Sequence, residues 1–277
     1  MEGGRTYYAQ APVGRFLLVN PSAGDARPSP AELAEAAAAR GIEVHLLGDG
    51  EDPARLARNA SAEAIGVAGG DGSLAAIAAV AIERDIPFAC VPFGTRNHFA
   101  RDLGLDRDDP IAALDAFSGR ERRIDVGRAG DRLFLNNVSL GLYARLVHRR
   151  EHHRKRRDAL ARARALAILL RERKRFVLSV DGEPLEAPVV LVANNAYRLV
   201  LLSIGERERL DEGLLHLYAP KGMVRSEWRE RSGERFTIDS DGRALEAAVD
   251  GEPEELETPI EFSIEPRGLR VLVPPGR

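Results

Sequence analysis

The sequence has little cysteine, few aromatic side chains and no long apolar run. Cys90 is the one cysteine among 277 residues, so no disulfide can form within the chain and the fold does not depend on an oxidising compartment. No apolar stretch approaches the ~20 residues that a membrane-spanning helix needs. Residues 1–5 lack the charged-then-apolar pattern of a signal peptide. These absences predict a soluble cytoplasmic protein.

Charge is unevenly distributed, although the formal net charge is only −3. Residues 145–175 contain 13 Lys and Arg against three Asp and Glu, whereas the remainder carries 27 basic and 40 acidic residues. A helix over about 142–174 would place arginines such as Arg157 and Arg164 on one side and Ala and Leu on another. Such a basic amphipathic helix suits an anionic membrane surface, and a merely solvated face is the alternative. Aromatic side chains for base stacking are missing from 145–175, so no nucleic-acid partner is expected.

Short apolar runs alternate with Ala-rich segments over the first 125 residues. Strands of four or five residues alternating with longer helices are typical of βαβ units around a parallel sheet with helices on both faces. The predicted strands are 16–19, 43–47, 64–68 and 88–91, and the predicted helices are 29–40, 53–60, 72–85 and 109–117.

The pattern changes after Asp125 to strands separated by turn signals such as Asp181-Gly182 and Asp250-Gly251. This pattern predicts an antiparallel β domain, interrupted by the basic helix. The predicted strands are 133–135, 176–180, 189–192, 214–218, 236–238 and 260–264.

The most distinctive local signal is the run Gly69-Gly70-Asp71-Gly72-Ser73, between a predicted strand and a predicted helix. A glycine-rich turn at a helix N-terminus exposes N–H groups and partial positive charge, which suit a phosphate. Asp71 would be unfavourable beside a bare phosphate, so it indicates a metal-bound water or a cation nearby. The alternative is an ordinary turn in which Asp71 or Ser73 caps the helix.

Two further polar turns follow predicted strands. One is Asn20-Pro21-Ser22-Ala23-Gly24, in which the Asn20 amide either binds a phosphate or fixes the turn. The other is Pro92 to His98, in which Thr95 and Asn97 are either ligands or helix caps. The carboxyl ends of parallel strands meet at one edge of a sheet, where ligands bind in doubly wound folds. The three turns are therefore predicted to lie together.

In order and spacing, these three motifs resemble the catalytic domain of diacylglycerol kinases, a family that includes sphingosine and ceramide kinases and bacterial lipid kinases. Segments 124–127, 136–141 and 249–252 also resemble that family. The resemblance implies ATP- and Mg²⁺-dependent phosphorylation of a hydroxyl on a diacylglycerol-like or sphingoid lipid. It implies an ATP-binding α/β domain over 1–125 and a β-sandwich-like lipid-substrate domain over 126–267. The active site would lie in the cleft between them, and a last strand at about 268–274 would return to the first domain.

The resemblance also implies roles for individual residues. Asp71 and Asp125 would join the metal–water network, and Glu212 stands in a loop that can hold a structural Mg²⁺. Asp250 would take the proton from the lipid hydroxyl with support from Glu252. The residues implied for nucleotide binding are Asn20, Pro21, Gly69, Gly70, Gly72, Ser73, Thr95, Asn97 and Arg101.

Some positions depart from the family pattern. His98 stands where an Asp is frequent, and Glu212 stands where Asp is usual. Asp181-Gly182-Glu183 repeats the letters of 250–252, and the residues alone do not choose between them. A catalytically impaired nucleotide- or lipid-binding protein therefore stays open, as does an NAD-kinase-like enzyme with a soluble acceptor. The oligomeric state is also open, with a homodimer as one option.

Overall fold

The computed structural model describes residues 5–7, 14–23, 28–94, 97–141, 176–200, 203–220 and 228–275. The chain divides into two compact units: unit 1 contains residues 1–124 and 267–277, and unit 2 contains residues 125–266. The basic helix predicted at about 142–174 lies outside the described residues, and so does Thr95. In the described part of the chain, no helix is long and apolar enough to cross a bilayer.

Unit 1 contains a parallel sheet in the strand order β3-β2-β4-β5, continued by residues from the end of a long strand, Ile260–Val273. β1 pairs with β3 in the antiparallel sense. The strands are β1 (Arg5–Tyr7), β2 (Arg15–Val19), β3 (Glu43–Leu46), β4 (Ala64–Gly69) and β5 (Phe88–Pro92). The helices are α1 (Pro30–Ala38), α2 (Pro53–Asn59), α3 (Asp71–Glu83), α4 (His98–Asp102) and α5 (Pro110–Ala113), followed by a 3₁₀ helix, Leu114–Ser118.

Local sequence signals explain where these helices begin. Ser29 and Glu32 form a capping box at the start of α1, and Pro30 occupies its first turn. Asp52 accepts the N–H groups of Ala54 and Arg55 at the start of α2. α1, α5 and the 3₁₀ helix share one core cluster with one face of the sheet, while α2 and α3 contact β2 and β4. The predicted α/β fold is therefore confirmed.

The strand order creates a switch point between β2 and β4. The chain leaves β2 towards β3 on one side, whereas it leaves β4 towards β5 on the other. Crossovers in opposite directions place their helices on opposite faces and open a crevice beyond the carboxyl ends of the two strands. Two of the three predicted polar turns, at Asn20 and at Gly69, follow these strands.

The described residues of unit 2 form two antiparallel layers and a separate two-stranded sheet. Among the described residues, six strands form one sheet in the order β15-β14-β11-β8-β17-β18. The other layer contains β7, β9, β10 and β16 with the unit 2 residues of β6 and β19. The strand bounds are β6 (Arg120–Ala129), β7 (Arg132–Phe134), β8 (Asn137–Gly141), β9 (Phe176–Val180), β10 (Glu183–Ala187), β11 (Val189–Asn194), β12 (Tyr197–Val200), β13 (Ser203–Arg207), β14 (Leu215–Pro220), β15 (Trp228–Gly233), β16 (Arg235–Ser240), β17 (Ala244–Val249), β18 (Glu252–Glu257) and β19 (Ile260–Val273).

A single apolar core joins the two layers of unit 2. Val138, Val192 and Leu217 from the six-stranded sheet pack in one cluster with Phe236 and Phe262 from the other layer. Alternate residues along β8, β11 and β14 belong to this cluster, as expected where an antiparallel sandwich packs one face of each sheet inward. This arrangement confirms the predicted antiparallel β-sandwich-like unit.

Candidate functional site

The glycine-rich turn follows β4, whose side chains are buried, and leads directly into α3. Gly70 is the N-cap of α3 with φ −82° and ψ 172°, and Gly72 and Ser73 lie in the first turn. Among the described residues, no side chain caps this helix. Its first N–H groups can therefore meet an anion, which the helix dipole also favours.

Asp71 caps a different helix from the one in which it lies. Its Oδ2 accepts the backbone N–H of His98 and its Oδ1 that of Phe99, both at 3.2 Å. These are the first residues of α4, so the carboxylate ties the glycine-rich turn to the third predicted motif. The alternative in which Asp71 caps α3 is therefore wrong.

Asn97 closes the turn that precedes α4. Its Nδ2 donates to the Gly94 carbonyl oxygen at 2.8 Å, and its Oδ1 accepts the Gly94 N–H at 2.9 Å. Asn97 is 5% exposed and adopts a left-handed conformation with φ 48°. The amide therefore fixes the turn in this structure, while its role in nucleotide binding stays a prediction.

The second and third motifs meet at two glycines. A Cβ atom built on Gly94 would lie 2.5 Å from the Cα of Gly70 and 3.0 Å from Asn97 Oδ1. Real Cβ atoms do not approach backbone so closely, so Gly94 is required where the turns touch. Gly69 precedes them in β4, and its carbonyl oxygen accepts the Phe93 N–H at 3.3 Å.

Asn20 connects the first motif to the same edge of the sheet. Its N–H donates to the Ala68 carbonyl oxygen in β4 at 2.9 Å, and its Oδ1 accepts the Ser22 N–H at 3.0 Å. Pro21 is exposed beside it. The structure therefore brings Asn20, the glycine-rich turn and Asn97 to one edge of unit 1. Arg101, further along α4, pairs with its neighbour Asp102 at 3.2 Å.

Asp125 is the first residue of unit 2 and is 1% exposed. Its Oδ2 accepts the Gly213 N–H at 2.6 Å, and its own N–H donates to the Leu210 carbonyl oxygen at 2.7 Å. Asn194 Nδ2 donates to the carbonyl oxygens of Asp125 and Leu135, both at 3.0 Å. Asp125 is thus held by the loop 210–213 and by a buried asparagine.

Asp250 is held by the start of β8. Its Oδ2 accepts the Leu135 N–H at 2.8 Å, and its Oδ1 accepts those of Asn136 at 2.7 Å and Asn137 at 3.1 Å. Hydrogen bonds of this kind stabilise the ionised form of a carboxylate. Glu252 is exposed at the start of β18 and pairs with Val249 across the turn.

The structure distinguishes the two Asp-Gly-Glu turns. Asp181 and Asp250 both have positive φ, 53° and 48°, and both lie at the tip of a two-residue hairpin turn. Asp181 is exposed, and its Oδ1 accepts the Thr237 N–H. Asp250 is instead 9% exposed and bound to three consecutive N–H groups.

Sequence reasoning did not identify Arg207, which is 4% exposed. Its Nη1 donates to the carbonyl oxygens of Leu135 at 2.7 Å and Asn194 at 3.0 Å, and its Nη2 donates to Asn136 Oδ1 at 2.8 Å. The charged run 206–209 contains two arginines, and no local pattern marks one of them as buried.

Glu212 is engaged by protein groups. Its Oε2 accepts the Ala196 N–H at 2.9 Å, and its N–H donates to Asn195 Oδ1 at 2.8 Å. His216 Nε2 lies 3.2 Å from the same Oε2, but its alignment does not make a hydrogen bond. The His216 ring stacks on Tyr218, and burial raises the pKa of that phenol to about 12.

The carboxylates fit Mg²⁺ only in one form. Within the described ranges, no group of three or more His, Cys, Asp or Glu side chains is arranged to hold a metal ion. Mg²⁺ commonly uses one or two carboxylates and fills its other positions with water and phosphate oxygens. Asp71, beside the uncapped start of α3, therefore suits a metal that also contacts a bound phosphate rather than an all-protein cage, while the metal role of Asp125 in unit 2 stays a prediction.

Sequence comparison finds a family likeness in the part of the chain that contains Asn20, the glycine-rich turn and Asn97. Residues 15–129 match the family model of the diacylglycerol kinase catalytic domain. This match covers 115 of the 277 residues, so it is a likeness over less than half of the chain. The resemblance inferred from the three motifs is therefore confirmed over this part of the chain, which runs from β2 to the end of β6.

Curated relatives show a similar partial likeness. The "probable lipid kinase YegS-like" protein of Pseudomonas fluorescens is 37% identical over 113 residues, which are 39% of this chain and 38% of that protein. A diacylglycerol kinase of Mycobacterium tuberculosis is 38% identical over 98 residues, 33% of this chain and 32% of that protein. The matched part thus spans less than two fifths of either relative.

The fold extends the likeness beyond this catalytic domain. The structure of a diacylglycerol kinase from Bacillus anthracis superposes with a TM-score of 0.67 and 19% identity, and the match covers 95% of this chain and 98% of that one. Both units therefore have the fold of that kinase. Three of the predicted site residues lie beyond the matched residues 15–129: Asp250, Glu252 and Glu212. Their proposed roles therefore depend on their burial and hydrogen bonds and not on this match.

Proposed function

We propose that the protein is an ATP- and Mg²⁺-dependent lipid kinase, which transfers the γ-phosphoryl group to a hydroxyl of a diacylglycerol-like or sphingoid lipid at a membrane surface. The main support is the arrangement around Asp71. Its carboxylate ties an uncapped helix N-terminus to α4 at the switch point of a parallel sheet. Nucleotide phosphates bind at such edges in sheets of this type.

Phosphoryl transfer depends mainly on positioning and on neutralising charge. In this proposal, the first N–H groups of α3 bind phosphate oxygens, and Gly70 leaves room for them. Asp71 would contribute a carboxylate to the metal, and the family resemblance implies a metal role for Asp125 as well. When bound, Mg²⁺ supplies positive charge to the phosphate oxygens.

Asp250 is the proposed base. The bond from the lipid oxygen to phosphorus forms as the bond to ADP breaks, and the hydroxyl proton passes to the Asp250 carboxylate. Glu252, two residues further on, is a second carboxylate whose negative charge would favour uptake of the proton by Asp250.

The basic segment 145–175 is the proposed membrane contact. A basic side chain near an anionic bilayer contributes about 1 kcal/mol, so several arginines would hold the enzyme beside its lipid. Charge reversal at Arg157 and Arg164 should reduce sedimentation with vesicles that contain phosphatidylserine. Unchanged sedimentation would contradict this part of the proposal.

A second candidate is a protein that binds nucleotide or lipid but has lost turnover. His98 favours it, because an imidazole stands where a carboxylate is frequent in the family, and the His98 backbone N–H is already bound by Asp71. The activity of an NAD-kinase-like enzyme with a soluble acceptor should not depend on lipid vesicles, which distinguishes it from a lipid kinase.

The deciding experiment supplies γ-labelled ATP and Mg²⁺ with a total lipid extract and identifies any labelled lipid. Asp250→Asn should reduce labelling by at least about 10²-fold, since it removes the proton acceptor. Asp181→Asn is the matched control, because it alters the same three-residue turn at an exposed site. Absence of labelled lipid from the wild-type reaction would refute the proposal, and equal labelling by both variants would refute the assigned base.

A further inference from the structure

Arg207 and Asp250 lie on opposite sides of one peptide group. Arg207 Nη1 donates to the Leu135 carbonyl oxygen at 2.7 Å. The N–H of the same peptide unit belongs to Asn136 and donates to Asp250 Oδ1 at 2.7 Å. A buried cation, a peptide dipole and a buried carboxylate are therefore connected by successive hydrogen bonds.

The guanidinium is fixed by further contacts. Its Nη2 donates to the Asn136 side-chain oxygen at 2.8 Å, and its carbon lies 5.4 Å from the centroid of the Tyr197 ring. The planar guanidinium presents several donors in a rigid fork, so it can hold a carbonyl and an amide together. Asn194 Nδ2 donates to the same Leu135 carbonyl at 3.0 Å, so two side chains secure this oxygen.

The chain of hydrogen bonds has an electrostatic consequence. A cation at a carbonyl oxygen polarises the peptide and strengthens its N–H as a donor, and such chains are cooperative in a low-dielectric interior. A stronger N–H bond stabilises the ionised carboxylate. Asp125 and Glu252 are carboxylates and act in the opposite direction. Arg132 in β7 is a cation, but it pairs with Glu254 of β18 at 3.8 Å.

We propose that Arg207 is a positioning residue for Asp250, acting through the Leu135–Asn136 peptide. Arg207 holds segment 135–137 so that its N–H groups converge on the carboxylate, and it keeps that carboxylate ionised and oriented. The inference depends on the proposed function in one respect: Asp250 must be the base that receives the proton of the lipid hydroxyl.

Kinetic measurements on Arg207→Met and Arg207→Lys test the proposal. Loss of the guanidinium should lower kcat by about 10- to 100-fold, because a misplaced catalytic group costs rates of this order. KM for ATP should stay within about two-fold, since the effect falls on the transfer step. Lysine restores one donor to the Leu135 oxygen, so Arg207→Lys should recover part of kcat.

Arg84→Met is the matched control. Arg84 also donates to two backbone carbonyl oxygens, those of Ala57 at 2.7 Å and Ala62 at 2.8 Å, and it lies in unit 1. Its loss should lower the thermal unfolding midpoint and leave kcat unchanged. An equal loss of kcat in Arg84→Met would mean that the Arg207 effect is one of general stability, and the proposal would fail.

A second readout does not depend on activity. The carboxyl carbon of Asp250 is followed by NMR from pH 7 to pH 3 in the wild type and in Arg207→Met, with Asp250→Asn as the assignment control. The titration midpoint of Asp250 should move to higher pH in Arg207→Met. If that variant does not fold, Arg207→Lys replaces it, and a smaller shift in the same direction is expected. An unchanged midpoint in the folded variants overturns the proposal. A shifted midpoint in a protein that phosphorylates no lipid would refute the proposed function but support the role of Arg207.

Discussion

The backbone N–H of His98 donates to Asp71 Oδ2 at 3.2 Å. His98, which stands where the family frequently has an Asp, is therefore bound through its main chain to Asp71 of the glycine-rich turn. This contact needs no particular side chain at position 98, so the link between α3 and α4 is compatible with histidine there. A histidine in place of an aspartate changes the charge next to this contact between Asp71 and α4.

Asp71→Ala should remove two helix-capping bonds and the proposed metal-side carboxylate together. The free energy of unfolding should fall by about 1 kcal/mol, as for other lost caps, and ATP-dependent turnover should be lost. Asp52→Ala is the control, because Asp52 also accepts two N–H groups at a helix start. It should lose similar stability and keep its turnover. Loss of turnover in both variants would contradict a specific role for Asp71.

Gly94→Ala and Gly70→Ala should separate stability from nucleotide binding. A methyl group at Gly94 meets the Gly70 backbone at 2.5 Å, so unfolding free energy should fall by about 1–3 kcal/mol. A methyl group at Gly70 has 3.9 Å to its nearest described neighbour, Gly94 Cα, and Gly70 has φ −82°. That variant should stay within ~1 kcal/mol of the wild type but bind ATP more weakly. Chemical denaturation and calorimetric ATP titration measure the two effects, and unimpaired ATP binding by Gly70→Ala would exclude phosphate from this position.

Cys90 should be unreactive while unit 1 is folded. Burial, and to a smaller extent the charge of Asp71, raises the pKa of its thiol, and the residue is 1% exposed in β5. The thiolate is the reactive form. Ellman's reagent at pH 8 should therefore detect one thiol per chain in denaturant and none in the native protein. Rapid labelling of the native protein would show that β5 is accessible.

Glu121→Gln should destabilise unit 1 in a pH-dependent manner. Both Glu121 carboxylate oxygens accept Arg270 N–H groups at 2.8 Å, and this hydrogen bonding lowers the pKa of Glu121. The contribution of the pair to the free energy of unfolding is therefore complete above the unfolded pKa of about 4.3. This contribution is lost as the pH falls through the lower pKa of Glu121 in the folded protein. The pair is partly exposed, so the loss at pH 7 should be only ~1 kcal/mol and should shrink towards pH 3.5.

Glu261→Gln is the control for this pH effect. Glu261 pairs with Arg235 at 3.1 Å, but both side chains are at least half exposed. Such pairs contribute little, so urea denaturation should show almost no change at either pH. A Glu121→Gln effect that does not depend on pH would mean that charge is not its cause.

The parallel sheet could be predicted because its strands are continuous apolar runs between helix signals. The strand predicted at 64–68 is observed as Ala64–Gly69. The helix predicted at 29–40 is observed as Pro30–Ala38, which begins after its capping serine, Ser29. β18 could not be predicted in the same way. Glu252–Glu257 contains four acidic residues, and Leu256 is its one buried side chain. The pairing of β18 with β17 places it in the sheet, and that pairing is not visible in local sequence.

Parts of the candidate site were equally hidden. The letters Asp-Gly-Glu describe both 181–183 and 250–252, and only the burial and hydrogen-bond partners of Asp250 separate them. Arg207 belongs to an ordinary charged run, and its burial depends on residues more than 70 positions away in the sequence, such as Leu135. Chemistry that depends on distant partners cannot be recognised from local patterns.

The order in which the strands of unit 1 are synthesised constrains how the protein can mature. β5 pairs with Val271 and Leu272, which follow every residue of unit 2 in the chain. A nascent chain that ends before residue 267 therefore presents β5 as an open strand edge, which favours pairing with other molecules. Unit 1 can close its sheet only after unit 2 has left the ribosome. The first unit to be translated is thus the last to be completed, and during translation it would benefit from a chaperone that shields this edge.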